Sequence, residues 1–181
     1  EAHARFATRY GVTPRGPIRV ELFRRHADFS VRTMGLVGLG ALGVSFGPVV
    51  VMDAPAARRR GEFNWGSTLW HELAHTFHMA ASASRVPRWF TEGLAVYEER
   101  LARPGWGDDV SPGFLQAYRD GRLLPVRRLN DGFVRPAYPE QLGYSYYEAS
   151  LVCEMIAGAH GFPALVAMLH AFRAGRDTPA A

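Results

Sequence analysis

The chain has 181 residues, 48% of them hydrophobic, so it can bury one sizeable core and does not suggest two. Its formal net charge is only +4, which argues against a nucleic-acid-binding protein, and the fact that all 21 basic residues are Arg indicates a GC-rich genome. The single cysteine, Cys153, excludes a disulfide framework and leaves the compartment undetermined; its apolar helical surroundings are typical of a core position. No signal peptide is visible after Glu1, as in a fragment of a longer protein, and we predict one domain over residues 1–181.

Strands are predicted in the first third of the chain. The segment PIRVELF, residues 17–23, alternates like a strand, and VVVMD, residues 49–53, has the pattern of a buried one. Helices are predicted downstream, at residues 67–80, 88–101, 113–119, 145–159 and 162–173. Strands followed by helices indicate an α+β fold in which the helix at 67–80 packs on the sheet.

The segment MGLVGLGALGVSFGPVVVM, residues 34–52, is uncharged and long enough to span a bilayer. Its five glycines and Pro48 make a poor isolated helix, so we predict no membrane span. Residues 38–43 also fit the dinucleotide-binding pattern G-x-G-x-x-G, but the residues that follow favour extended chain over the required helix. A glycine-rich turn between two strands explains the segment better.

Two histidines lie four residues apart in LWHELAHTFH, residues 69–78. On a helix, His71 and His75 point the same way and can hold one metal ion, while Glu72 can reach a water on that metal. The alternative is an amphipathic helix whose histidines bind nothing, and the motif alone does not decide between the two. Ser67 or Thr68 is the expected helix cap. His78 lies about one turn further on, where packing or surface exposure is the simpler explanation.

A third ligand is expected in the helix that Pro87 starts. Glu92 sits in its first turns among aromatic residues, where an unpaired carboxylate would be costly and a metal would remove that cost. Glu99 lies two turns along the same face and could orient a ligating histidine. For Glu98 and Glu99, the alternative is a solvated helix end beside Arg100.

The two motifs around His71 and Glu92 together resemble a known family pattern. HELAH at 71–75, followed by WFTEGLA at 89–95, resembles the gluzincin pattern of HExxH and a later W-x-x-E-G-x-A. The M1 aminopeptidases share this pattern, as do the smaller peptidase MA-like domains found in bacterial tetratricopeptide-repeat proteins. The whole chain is similar to one of those smaller domains, including its closing GFPALVAMLHAFRAG.

The resemblance implies a zincin-like fold and a Zn²⁺ metallopeptidase. Its metal ligands would be His71, His75 and Glu92, with Glu72 as general base. Glu99 matches the acid that lies seven positions after the ligand Glu in this pattern. That acid does not bind the metal itself but orients one of the ligands. By the same resemblance, the strand edge that binds the substrate backbone lies within residues 38–46.

A further donor is needed for the oxyanion that forms during peptide hydrolysis. The segment GYSYYEASLVCEMI offers three tyrosines at the start of a helix. Tyr147 fits best, since related aminopeptidases place Tyr directly before Glu and the smaller domains place Ser three residues after it. Tyr144 is the second choice, and simple packing of all three aromatic rings is the alternative.

The sequence thus predicts a zinc metallopeptidase that acts on a peptide or protein, with tetratricopeptide repeats elsewhere in the same protein as a further partner. The aminopeptidase segment Gly-Ala-Met-Glu-Asn has no counterpart in GALGVSFGPVV, which favours an endopeptidase. Two alternatives stay open: an inactive metal- or peptide-binding module that serves such repeats, and a peptide-binding cleft without metal. Glu72 argues against the first, because a structural zinc needs no base.

Overall fold

The computed structural model describes residues 1–36 and 40–178. Within these residues the chain forms eight α-helices and one three-stranded sheet, so the predicted α+β class is confirmed. The chain divides into two compact units, Glu1–Ala80 and Ala81–Ala181. The prediction of one domain over residues 1–181 stays a prediction.

The first unit contains all three strands. Its elements are α1 (Ala2–Tyr10), β1 (Arg19–Phe23), α2 (His26–Met34), β2 (Gly43–Phe46), β3 (Val49–Asp53) and all but the last two residues of α3 (Trp65–Ser82). The two predicted strands are therefore confirmed, although β1 begins two residues later than expected. Helices α1 and α2 were not predicted, so the expected order of strands first and helices after is wrong for this part of the chain.

The sheet has the order β1-β3-β2, with β1 parallel and β2 antiparallel to β3. A two-residue turn joins β2 to β3, and Gly47 supplies the positive φ of 60° that the first position of such a turn requires. The strand at Gly43–Phe46 contradicts the helix that a dinucleotide site needs. Part of the predicted glycine-rich turn, residues 37–39, lies outside the described residues.

Aromatic side chains hold α1 against α3 in the first unit. The ring of Phe6 lies 5.1 Å from the ring of Trp70 and 5.5 Å from that of Phe77. Tyr10 contacts the ring of His78, with ring centroids 5.1 Å apart. Burial of these large rings stabilises the position of α3, which carries the predicted ligands.

The second unit is helical within its described residues. Its α-helices are α4 (Arg88–Ala102), α5 (Pro112–Arg119), α6 (Asp131–Val134), α7 (Gln141–His160) and α8 (Phe162–Arg173). Four of them match the predicted helices, with ends that shift by up to four residues, and only the short α6 was not expected. Cys153 on α7 is fully buried, as predicted, and burial raises the pKa of its thiol.

Helices α4 and α7 lie close together at Gly93, where an added Cβ would lie only 2.6 Å from the carbonyl oxygen of Ala149. The ring of Phe90 packs on Phe172 of α8, with ring centroids 5.4 Å apart.

Among the described residues, no single helix is long and apolar enough to cross a membrane. Helices α7 and α8 meet such a criterion only as a pair bent by 116°.

Candidate metal centre

The HELAH motif lies in the middle of α3, as predicted. The helix begins at Trp65, and the side-chain oxygen of Asn64 accepts a hydrogen bond from the N–H of Ser67 at 3.1 Å. Asn64 therefore caps the helix, and the expectation that Ser67 or Thr68 does so is wrong because both lie inside the first turn.

Both histidines point to the same side of α3. The rings of His71 and His75 lie 4.7 Å apart at an interplanar angle of 84°. This is the arrangement expected for positions one helical turn apart, and it lets each ring offer a nitrogen to a common ion. His75 is nearly buried. The ring of His75 is therefore largely shielded from solvent, whereas His71 is partly exposed.

Glu92 lies in the second turn of α4, which follows Pro87 as expected. Its side chain is buried with 7% exposure, so its charge is not solvated as it would be on the surface. The guanidinium Nε of Arg88, one turn earlier, lies 3.3 Å from the Glu92 Oε1 atom. The carboxylate therefore has a partner within the protein, and this exposed arginine offsets part of its desolvation cost.

His71, His75 and Glu92 form a group that could hold a metal ion. Each offers one ligand atom, and these atoms all lie within 4.8 Å of one another. Two imidazoles and one carboxylate are a donor set that zinc accepts, and three protein ligands leave a fourth tetrahedral position for water. The three residues predicted as ligands thus fit the predicted ion.

Glu72, the predicted base, lies next to His71 and is buried with 6% exposure. Strand β2 contacts its side chain at two positions. The hydroxyl of Ser45 donates to the carboxylate Oε2 at 2.7 Å. Gly43 has so little room that an added Cβ would lie 2.7 Å from the Glu72 Cγ atom. Sequence reasoning missed both contacts, because the spacing of residues along the chain does not show that β2 packs against α3.

The acidic residues later in α4 are not solvated. Glu98 has 0% exposure and Glu99 has 7%, so the alternative of a solvated helix end beside Arg100 is wrong. The predicted role of Glu99 in orienting a ligand stays a prediction. His78 is a packing histidine, as expected, since it is fully buried and its Nε2 lies 2.9 Å from the Tyr10 hydroxyl.

Tyr147, the predicted oxyanion donor, lies on α7 within the second unit. Its ring packs edge-on against Phe114 at 4.9 Å, and the guanidinium of Arg100 lies 5.6 Å from its centroid. Tyr144 contacts the same Phe114 ring at 6.0 Å. Both tyrosines line a cavity of about 430 Å³ together with Glu140. These contacts agree with the packing alternative as well as with a role in catalysis, so the role of Tyr147 stays a prediction.

The ligand group is the feature of this chain that most directly indicates chemistry. Its three residues belong to two helices that sequence reasoning predicted at nearly correct boundaries. Comparison of the chain with protein-family models, with curated proteins and with solved structures finds no match.

Proposed function

We propose that this chain is a zinc-dependent metallopeptidase domain of the gluzincin type, similar to the peptidase MA-like domains. One observation carries the proposal: the ligand atoms of His71, His75 and Glu92 lie within 4.8 Å of one another. A zinc ion bound there would have the open position that a hydrolytic site needs, and Glu72 follows the first ligand directly.

A zincin-like arrangement of the sheet is part of the proposal. The N–H of Asp53 donates to the carbonyl of Leu42 at 3.0 Å, so Val44 and Phe46, two and four residues on, also direct their backbone groups to β3. The backbone groups of Gly43 and Ser45 then face the outer edge of β2, with which no other strand in residues 1–36 and 40–178 pairs. A substrate peptide would bind there by strand addition.

The reaction follows from the residues at these positions. Zinc, when bound, supplies Lewis-acid chemistry that activates water and polarises the scissile carbonyl. Glu72 accepts a proton from the attacking water and transfers it to the leaving amine. Tyr147 donates a hydrogen bond to the oxyanion. The edge of β2 holds the substrate in extended form, which suits an endopeptidase that binds chain on both sides of the scissile bond.

The test combines metal analysis with an assay on unfolded protein. The purified chain should bind one equivalent of zinc and cleave an unfolded substrate, and a chelator should abolish cleavage. Glu92→Ala should lose the ion, whereas Glu72→Gln should retain it and lose activity. Glu62→Ala and Glu62→Gln are matched controls, since Glu62 is exposed and lies in the loop before α3.

Each alternative gives a different result in these assays. A chain that retains zinc but does not cleave the substrate would be a metal-binding module, which could serve repeats elsewhere in the protein. A chain that binds an unfolded substrate without any metal would be a peptide-binding domain. Full zinc occupancy in Glu92→Ala would contradict the ligand assignment.

A further inference from the structure

The side chain of Glu72 is held in place from outside its own helix. The Ser45 Oγ atom lies 2.7 Å from the Glu72 Oε2 atom and 2.7 Å from the Glu72 carbonyl oxygen. A glutamate side chain has three rotatable bonds and in solution samples many rotamers. A fixed donor at this distance selects the rotamers that bring the carboxylate to β2.

The Ser45 hydroxyl has one proton for these two acceptors. The Glu72 carbonyl lies inside α3, where the N–H of Thr76 is its helical donor. The carboxylate form of Glu72 accepts a charge-assisted hydrogen bond, which is shorter and about twice as strong as one between neutral groups. The hydroxyl proton is therefore directed to the carboxylate.

Gly43 restricts the same side chain by close packing. An added Cβ there would lie 2.7 Å from the Glu72 Cγ atom and 3.0 Å from its Oε1 atom. Gly43 does not have a positive φ, so space and not backbone conformation requires glycine at this position. Residues two apart in a strand share a face, and thus Gly43 and Ser45 both face Glu72.

We infer that strand β2 positions the general base: Ser45 orients the Glu72 carboxylate through its hydroxyl, and Gly43 leaves the space that this orientation needs. Ser45 is a positioning residue, because it acts on the reaction through Glu72. The inference rests on the proposed function for the role of Glu72 as base. The contact itself does not depend on metal.

The kinetic test uses the zinc-loaded chain and an unfolded-protein substrate. Ser45→Ala should lower kcat by about 10- to 100-fold, the usual effect of removing a group that orients a catalytic one. KM and zinc content should not change, since the substrate binds the backbone of β2. Ser45→Thr should restore most of the activity because it keeps the hydroxyl and suits a strand. Gly43→Ala should also lower kcat.

Thr68→Val is the matched control. It removes a hydroxyl from the same helix, one turn before Glu72, whose hydrogen bond goes to the Asn64 carbonyl and not to the base. Its kcat should stay within about twofold of the parent, because the lost hydrogen bond is exposed to solvent and valine keeps the branched shape of the side chain. A change in KM alone in Ser45→Ala would overturn the inference, because β2 would then act only in substrate binding.

A second measurement needs no activity. In the metal-free chain, Ser45→Ala should lower Tm in the parent and lower it less in a Glu72→Ala background, since a double-mutant cycle isolates the contact. Equal shifts in both backgrounds would overturn the inference even if the parent is an active peptidase. A different result is that Ser45 and Glu72 are coupled but the zinc-loaded parent cleaves no substrate. The contact would then stand, whereas the proposed function and the role of Glu72 as base would be overturned.

Discussion

Gly93, which directly follows Glu92 on α4, lies against the backbone of Ala149 on α7. An added Cβ on Gly93 would lie 2.6 Å from both the carbonyl carbon and the carbonyl oxygen of Ala149, closer than such atoms approach in proteins. Backbone cannot rotate away as a flexible side chain can. The glycine in the motif therefore has a packing role, separate from any role of its neighbour as a ligand.

Gly93→Ala should destabilise the chain by about 1–3 kcal/mol, the usual cost of overpacking a close contact. Gly158→Ala on α7 is the control, because nothing lies within 4 Å of its Cβ position. This control should be neutral or more stable by up to about 1 kcal/mol, as alanine favours a helix. Denaturant unfolding monitors both variants. Equal stability of the two would show that α4 and α7 can separate without cost.

Asp53 ends β3 and is fully buried, with its Oδ2 atom 2.9 Å from the His26 Nδ1 atom and 2.9 Å from the Arg58 Nε atom. Asp53→Asn removes the charge that both hydrogen bonds use and should cost about 1.5–3 kcal/mol. Asp28→Asn is the control, since Asp28 bonds Arg25 in an exposed pair that solvent screens. The two variants should differ clearly in urea midpoint. A similar midpoint would mean that the buried carboxylate contributes no more than a surface pair.

Burial raises the pKa of the Glu148 carboxyl to about 7, while the hydrogen bond from the Leu124 N–H acts in the opposite direction. The pKa in the folded chain then exceeds the unfolded value of 4.5. The stability that this group contributes is fully present below pH 4.5, the unfolded value, and is lost as the pH rises through about 7, the folded value.

Glu148→Gln stays neutral and should therefore gain stability relative to the parent when the pH is raised from 5 to 8. We expect a gain on the order of 1 kcal/mol, because the side chain is partly exposed and solvent reduces the effect. Thermal unfolding at several pH values measures it, with the exposed Glu62→Gln as control. A constant difference between variant and parent across this range would contradict the raised pKa.

The helices that carry the ligand group were predictable, because their information is local. Spacing by four residues puts His71 and His75 on one face, and the apolar pattern after Pro87 marks the start of α4. The helical cap was missed because Asn64 lies three residues before residue 67, where the helix was predicted to begin. Helices α1 and α2 were missed for a similar reason: each buries only two residues within nine, too few for a clear period.

The surroundings of the candidate site were less predictable, because they depend on contacts between distant parts of the chain. Glu98 has the sequence context of a surface residue but is fully buried, and only the tertiary structure determines this. The contact of Ser45 with Glu72 joins residues 27 positions apart. The resemblance placed a substrate-binding strand edge within residues 38–46, and β2 lies within that range, but the contact of β2 with Glu72 was not expected.

Glu99 is buried, and we predict that it orients His75 when zinc is bound. Glu99→Gln should weaken zinc binding by about 10- to 100-fold, because a ligating imidazole depends on the group that accepts its second N–H. Glu98→Gln is the matched control on the same helix and should leave the affinity unchanged, although it can lower the stability. Competition with a metal-binding dye measures the affinity. Weaker binding in Glu98→Gln alone would assign the orienting role to Glu98.

Tyr147 and Tyr144 both contact Phe114, which makes them a matched pair for assigning the oxyanion donor. Tyr147→Phe keeps the ring and its packing and removes only the hydroxyl. It should lower kcat by about 10²- to 10³-fold, the usual cost of losing one donor to an oxyanion, and leave the zinc content unchanged. Tyr144→Phe should have little effect on kcat. The reverse result would assign the donor to Tyr144, whereas full activity in both variants would mean that the two rings only pack.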